Sequence, residues 1–317
     1  MSSFTDSLVD AEVFSSTGSF MGLPRAHDIQ SAPQLCVLGI PFDCGTHPFR
    51  VGARQGPDAI REQSKLLRPF DLFRRSGVDN PASHLNASDV GNVVCWPGDT
   101  ERSYPAIEEA VGRILDIGAI PVTMGGDGAV TLPQLRAVGK RHPGLVVLHF
   151  DSHTDTYPIE GYNTATTFTR AAEESVLDVS ASFHVGTRGN SFMGGVVEYG
   201  RDVGYTIIPF DEFEANQESV LEDIKRQVGD RPVYLCFDMD IFDPSCAPGV
   251  CTPEWGGLSA KEGLALLRQL SGLNFVAFDV NTVSPAQDVG GATAFLAATV
   301  MQEFIALAAN TPRHRVA

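Results

Sequence analysis

The chain has few basic residues for its size. Its 317 residues include 23 Lys and Arg against 39 Asp and Glu, which gives a formal net charge of −16. A surface of this sign repels nucleic-acid phosphates, so we predict no nucleic-acid partner. The same charge suits a binder of cationic ligands, although much of it could equally be ordinary surface solvation.

The sequence also lacks the marks of a membrane or secreted protein. No uninterrupted run of about 18 apolar residues occurs, and residues 1–14 have neither a basic start nor an apolar core. The six cysteines show no paired metal-ligand spacing, and buried free thiols are typical of a reducing compartment. We therefore predict a cytoplasmic protein without membrane contact.

What the sequence does contain is an alternation of β-branched apolar runs with helical periods. The strand candidates are 35–40, 89–94, 120–124, 145–150, 183–186, 204–209, 233–237 and 275–280. The helix candidates are 104–117, 132–140, 220–228, 261–270 and 293–309. Such alternation requires right-handed crossovers onto a mostly parallel sheet. Because no linker interrupts the chain, we predict one α/β domain over residues 34–317, preceded by an irregular arm over residues 1–33.

Acidic residues gather where three of these strands end. They are Asp127, then Asp151 and Asp155 with His153 between them, and then Asp238 and Asp240. Parallel sheets place their ligand sites at the carboxyl ends of strands. Carboxylates crowded there raise one another's pKa values unless a cation neutralises them, so the set predicts bound metal. Oxygen donors with one imidazole suit manganese better than zinc held by thiolates.

These residues could supply the bridging carboxylates that a pair of ions needs. Two divalent ions about 3 to 4 Å apart share a water molecule and lower its pKa towards neutrality. We expect Asp151 and Asp238 to bridge the two ions. His153 and Asp240 would complete the coordination of one ion, and Asp155 would bind the other. For any single Asp at a strand end, the alternative is a cap on the following helix.

The motifs resemble those of the ureohydrolases, the family of arginases, agmatinases and guanidino-acid hydrolases. FDSHTD at 150–155 resembles the family's first metal motif, and FDMDIFDPSCAPGVCTPEWGGL at 237–258 resembles the second. IPFDCGTHPFRVGARQGPDAIR at 40–61, HVGTRG at 184–189 and DVNTVSPAQDVGGAT at 279–293 also match. The resemblance covers residues 35–305 and is closest to the agmatinase branch.

The resemblance implies a single three-layer α/β/α domain on a parallel eight-stranded sheet, assembled as a homo-oligomer, usually a trimer or hexamer. It implies two manganese ions held by Asp151, His153, Asp155, Asp238 and Asp240. It also implies hydrolysis of a small cationic or zwitterionic guanidino substrate, agmatine or a guanidino acid, to urea and an amine. Asp151 and Asp155 are the predicted catalytic residues, with Asp155 accepting the proton of the attacking water.

Three positions depart from the family pattern. Gly128 replaces the histidine that binds the first manganese, Thr164 replaces the proton-shuttling histidine, and Thr282 replaces a glutamate that grips the guanidinium. The first ion site is therefore predicted to be weak or empty, with water in place of the imidazole. Losing a positioned proton donor costs a factor on the order of 100 to 10,000 in rate. Losing the glutamate removes about 1.5 to 3 kcal/mol of binding.

Other side chains near the motifs have weaker assignments. Thr164, Thr282 and His47 are the candidate substrate-binding residues, although a histidine in an irregular loop is more often only a surface residue. His149, two residues before Asp151, is expected to orient a ligand or pack in the core rather than bind metal. Cys251 is expected to be a buried structural thiol.

Two functions remain open at this point. One is a metal-dependent hydrolase of carbon–nitrogen bonds in linear amidines. The other is a catalytically impaired ureohydrolase-like protein that regulates or assembles with an active relative.

Overall fold

A single β-sheet carries the functional residues. The computed structural model describes residues 13–15, 18–44, 47, 49–68 and 85–311. The strands in these residues are β1 Phe14–Ser15, β2 Leu35–Ile40, β3 Ala87–Val93, β4 Ile120–Gly125, β5 Val146–Phe150, β6 Phe183–Thr187, β7 Thr206–Pro209, β8 Pro232–Asp238 and β9 Asn274–Asn281. Their order across the sheet is β1-β3-β2-β4-β9-β8-β5-β6-β7. Strands β2 to β9 pair in parallel, whereas β1 pairs antiparallel with β3.

The predicted parallel eight-stranded sheet is confirmed, and each predicted strand agrees with the structure to within two residues at either end. The difference is β1, a short strand inside the predicted irregular arm, where Phe14 pairs with Val93. Residues 1–12 and 16–17 of the arm lie outside the described residues. The predicted boundary at residue 34 stays a prediction.

Helices cover both faces of the sheet. They are α1 Gly56–Ser64, α2 Thr100–Asp116, α3 Thr131–Arg141, α4 Thr167–Glu173, α5 Val196–Val203, α6 Phe210–Ala215, α7 Gln217–Val228, α8 Ala260–Gln269 and α9 Ala292–Ala309. In β2, Val37 belongs to the core that includes Ile60 of α1, while Leu38 belongs to the core that includes Leu135 of α3. This alternation of buried residues between two faces produces the three-layer α/β/α fold.

Four helices were absent from the sequence prediction: α1, α4, α5 and α6. They have only 9, 7, 8 and 6 residues, which is shorter than the window of about 11 to 18 residues over which helical periodicity is read. Helix α2 also begins four residues earlier than predicted, at Thr100. Its cap is the Asp99 carboxylate, which accepts a hydrogen bond of 3.0 Å from the backbone N–H of Arg102.

Helix α9 is apolar around most of its circumference. Among the described residues it is the one helix long and apolar enough to cross a membrane by length and composition. Most of it is buried within the protein, against β9, α1 and α8. A buried position in the core accounts for its composition without a membrane.

A buried ion pair joins α1 to β3. The Arg61 side chain is buried and binds Asp89 through two contacts, Nε to Oδ2 at 2.8 Å and Nη2 to Oδ1 at 3.0 Å. It also donates to the Gly91 carbonyl at 2.7 Å. Removing one partner of such a pair leaves the other charge buried and uncompensated.

We expect Arg61→Ala to lower the free energy of unfolding by about 3 to 5 kcal/mol, measured by urea denaturation. The matched control is Arg226→Ala, which breaks an exposed i,i+3 pair with Asp223 and should cost less than about 1 kcal/mol. Equal losses in the two variants would contradict the role assigned to the buried pair.

Candidate metal centre and active site

A cavity of about 250 Å³ opens at the carboxyl ends of β5 and β8. Its wall contains all the predicted metal ligands together with two predicted substrate-binding residues: Asp151, His153, Asp155, Asp238, Asp240, Thr164 and His47. A larger surface groove of about 500 Å³ lies between α2 and α3, lined by residues such as Glu108 and Lys140. Those two side chains already form an ion pair with each other, so the groove offers no comparable chemistry.

One group of candidate ligands is the predicted one. The Nδ1 atom of His153 lies 3.2 Å from Asp151 Oδ1 and 3.1 Å from Asp240 Oδ2. Ser152 holds the other oxygen of Asp240, with Oγ at 2.7 Å and the backbone nitrogen at 3.0 Å from Oδ1. One ligand atom from each of Asp151, His153 and Asp240 lies within 4.8 Å of the others. The three residues are therefore placed to hold one cation.

A second group was only partly predicted. One ligand atom from each of His149, Asp151 and Asp155 also lies within 4.8 Å of the others. Asp151 belongs to both groups, as expected of a bridging carboxylate. His149 was interpreted from the sequence as an orienting or core residue, not as a ligand. The available signal was its position two residues before Asp151, which places both side chains on one face of β5.

Asp238 is oriented differently from Asp151. Its Oδ1 accepts hydrogen bonds from the Thr282 hydroxyl and, at 2.8 Å, from the backbone N–H of Asp240. It therefore also caps the 3-10 turn Met239–Ile241. Asp238 lines the cavity but belongs to neither ligand group. Its predicted bridging role stays a prediction.

The carboxylates perturb one another strongly. Burial, and then the charge of Asp151, raise the pKa of Asp155 well above its usual range. Burial, and then the charge of Asp240, do the same to the pKa of Asp238. Burial opposes the charge on His153, but Asp240 and Asp151 outweigh it and raise its pKa well above the usual range. In the absence of a cation the cluster therefore holds protons in place of metal.

The surroundings of the Asp151 carboxylate are the best test of whether a metal ion fits this site. Its carboxylate is buried, and within the described part of the chain its Oδ2 atom has no hydrogen-bond partner. The Nε2 atom of His149 lies 2.9 Å away, yet the two atoms are not aligned for a hydrogen bond. A buried carboxylate oxygen without a partner is costly, and a cation between donor atoms removes the cost. Carboxylate and imidazole donors together fit divalent ions such as manganese.

The departures at Gly128 and Thr164 are coupled in space. A Cβ atom added at Gly128 would lie 2.8 Å from Thr164 Cγ2 and 3.1 Å from Asp155 Oδ2. A side chain at position 128 would therefore require the Thr164 side chain to move. The hydroxyl of Thr164 is buried at the cavity wall with no hydrogen-bond partner among the described residues.

Thr282 lines an adjoining cavity of about 40 Å³ rather than the main one. Because its hydroxyl donates to Asp238, it acts on the candidate metal centre through that carboxylate. Its φ of 67° is unfavourable for a β-branched residue, and Asp155 also has a positive φ, 49°. Residues held in sparsely populated backbone conformations cluster at functional sites.

His47 stands where both cavities meet. Its Nδ1 accepts a hydrogen bond of 3.1 Å from the backbone N–H of Arg50, so the neutral ring carries its proton on Nε2. Its predicted role in substrate binding stays a prediction. Burial raises the pKa of Cys251 well above its usual range, as expected of a structural thiol.

Asp127 does not join the candidate metal centre. Its Oδ2 accepts a 2.7 Å hydrogen bond from the Cys44 backbone N–H, and its Oδ1 accepts one of 3.2 Å from Ala129. The capping alternative considered from the sequence therefore describes this residue. Burial raises its pKa to about 6, and the hydrogen bonds from Cys44 offset part of that shift.

The fold and site together define an α/β protein with a carboxylate and imidazole centre at the strand ends. The sequence matches the model of the arginase family over residues 33–307. It is 38% identical over 303 residues to guanidinopropionase from Pseudomonas aeruginosa, covering 94% of this chain and 93% of that protein. The chain belongs to the arginase family.

Solved structures show the same likeness. Proclavaminate amidinohydrolase from Streptomyces clavuligerus superposes with a TM-score of 0.86 at 35% identity, covering 94% of this chain and 98% of that one. A hypothetical agmatinase from Burkholderia thailandensis superposes with a TM-score of 0.80 at 34% identity, covering 92% and 91%. The predicted kinship is confirmed on both sequence and fold.

The pKa shifts lead to an expected pH dependence of stability. Because folding raises the pKa of Asp155, the stability that its protonated form contributes is present below the unfolded pKa of about 3.9 and is lost as pH rises through the higher folded value. In EDTA, the Tm should therefore fall as the pH is raised above the unfolded pKa and through the higher folded pKa of Asp155. Added Mn²⁺ should raise the Tm more at higher pH, because metal competes with protons.

Asp155→Asn should reduce the Tm loss in EDTA, since the amide does not ionise. Asp211→Asn, which changes an exposed acid on α6, should keep the wild-type pH dependence. An unchanged pH dependence in Asp155→Asn would show that this carboxyl is not the perturbed group.

Proposed function

We propose that this protein is a metal-dependent amidinohydrolase that cleaves a linear guanidino compound, agmatine or a guanidino acid, to urea and an amine. The observation that carries the proposal is the unpartnered Asp151 Oδ2 at the junction of two ligand groups. Membership of the arginase family supports it, as do relatives whose names refer to guanidinopropionate and to amidino groups.

The residues of the two groups would hold a pair of divalent ions, which we propose to be manganese. His153 and Asp240 would serve one ion, Asp155 would serve the other, and Asp151 would bridge. When bound, such a pair acidifies a water molecule and supplies the nucleophile near neutral pH.

Asp155 is suited to move the proton of the reaction. Its carboxylate lies in the cavity wall, and burial together with Asp151 makes it basic for a carboxylate. In the proposed reaction it takes a proton from water as a carbon–oxygen bond forms at the guanidinium carbon. It then returns the proton to the leaving nitrogen as the carbon–nitrogen bond breaks. The proton of the new C–OH group passes to the released amine, which leaves urea and an alkylammonium ion.

The cavity wall favours a cationic head group followed by a short chain. Glu254 lines it with a carboxylate outside the predicted ligand set, which attracts a guanidinium ion. Tyr157 and Phe192 also line it, and their rings stack at 5.0 Å with an interplanar angle of 14°. This aromatic pair offers an apolar surface for methylene groups.

Thr164 could supply a hydrogen-bonding group in place of the histidine expected at this position. The residue lines the cavity and its buried hydroxyl lacks a partner among the described residues, so a rotation of the side chain would let it donate to or accept from a bound substrate. Thr282 contributes by fixing the orientation of Asp238. The proposal further includes a cytoplasmic location. It also includes assembly as a homo-oligomer, a trimer or hexamer, and light scattering would measure the number of subunits.

The test is urea release by protein loaded with Mn²⁺, using agmatine, 4-guanidinobutyrate, 3-guanidinopropionate and arginine as separate substrates. We expect turnover of at least one of the first three. Asp155→Asn should lower kcat on that substrate by a factor on the order of 100 to 10,000, because it removes the proton acceptor and a carboxylate of one ligand group. Asp211→Asn on the exposed face of α6 should leave kcat unchanged.

Metal binding without turnover of any guanidine would contradict the proposal. That result would favour the catalytically impaired protein considered from the sequence, whose assembly with an active relative could then be measured by co-purification.

A further inference from the structure

His149 occupies a buried layer beneath the candidate metal centre. Its ring packs against Phe168 and His184, with ring centroids 4.4 Å and 4.9 Å away. Its Nδ1 atom lies 2.8 Å from the Nδ1 atom of His184. One proton must occupy the space between these two nitrogens, and either ring could carry it.

The surroundings of His149 Nε2, the other ring nitrogen, indicate which tautomer of His149 is present. If His184 carried the shared proton, a neutral His149 would carry its own proton on Nε2, which lies 2.9 Å from Asp151 Oδ2. That pair is not aligned for a hydrogen bond, and Oδ2 has no partner among the described residues. The geometry therefore favours a proton on His149 Nδ1 and a bare lone pair on Nε2. A hydrogen bond from the opposite ring nitrogen is the usual way of orienting a metal-binding imidazole.

Two lone pairs only 2.9 Å apart repel each other unless a cation lies beside both. Ligand atoms at right angles around an ion with bonds of about 2.1 Å are themselves about 3 Å apart. The Nε2 atom of His149 and the Oδ2 atom of Asp151 match that separation. Asp155 completes the group.

Gly128 supplies no side chain to this ion, and an added one would displace Thr164. A Cβ at Gly128 would meet the Thr164 methyl at 2.8 Å. Because Gly128 has no side chain, an imidazole for this ion would come from another element, and His149 on β5 is the imidazole in the second ligand group.

We propose that His149 Nε2 is a ligand of the ion held by Asp151 and Asp155, and that it takes the place of the side chain absent at Gly128. The proposal rests on the metal centre of the proposed function. It replaces the sequence-based expectation that this ion would have water in place of imidazole.

The test measures metal content rather than activity. Wild-type protein loaded with Mn²⁺ and passed through gel filtration should retain about two ions per chain, with the electron paramagnetic resonance signal of a coupled pair. His149→Gln should retain about one ion and show the signal of an isolated Mn²⁺, because the group containing His153 remains. Phe168→Leu changes the packing of the same ring without removing a donor and should retain both ions.

A rescue variant tests whether the two positions serve the same ion. In the His149→Gln background, Gly128→His combined with Thr164→Ser introduces an imidazole and removes the methyl group that blocks it. This triple variant should recover the second ion and the coupled signal. His149→Gln with Thr164→Ser alone should not.

His184 has a positioning role in this proposal. His184→Phe removes the acceptor for the Nδ1 proton of His149 while keeping a ring of similar width. We expect it to weaken binding of the second ion by about 10-fold to 100-fold in a Mn²⁺ titration and to leave the first ion unchanged. A general loss of packing would weaken both ions.

Two outcomes would overturn the proposal. One is retention of both ions with unchanged affinity in His149→Gln. The other applies to wild-type protein and so does not depend on folding of a variant: spin-echo spectra with ¹⁵N-labelled histidine that show only one imidazole nitrogen coupled to the manganese pair. Two bound ions with two coupled imidazoles but no hydrolysis of any guanidine would overturn the proposed function and leave the ligand assignment standing.

Discussion

The structure depends on the convergence of carboxylates on Asp151, which is buried at the end of a central strand. Its Oδ1 faces His153 and its Oδ2 has no hydrogen-bond partner in the described part of the chain. Asp155 and Asp238 stand near enough for their pKa values to be raised by neighbouring charges as well as by burial. Such a cluster is tolerated in a folded protein when cations neutralise it.

The structure shows which residues surround Gly128, Thr164 and Thr282, the three positions predicted to depart from the family pattern. Gly128 and Thr164 are complementary, because the methyl of one fills the space that a side chain at the other would use. Thr282 is tied to Asp238. Gly128 and Thr164 are therefore neighbours in space, whereas Thr282 acts through a separate contact, and an imidazole from β5 faces the carboxylates.

The fold was largely predictable because buried parallel strands are continuous apolar runs with β-branched residues, and eight such runs were visible. The short helix α4 and the strand β1 were not, since their 7 and 2 residues are shorter than the window over which periodicity can be read. At the site, Asp151, His153, Asp155 and Asp240 were predictable from motif and spacing. The direction of Asp238 and the position of Thr282 in an adjoining cavity were not.

The sequence by itself determined the fold class, the family and the set of acidic residues, because these follow from patterns among residues that are close together in the sequence. Only the tertiary structure decided which atoms face one another: that His149 Nε2 approaches Asp151 Oδ2, and that Thr164 occupies the space beside Gly128. These contacts join residues on β5 and on separate loops. Their distances depend on how the strands align and how the loops pack, which no local pattern encodes.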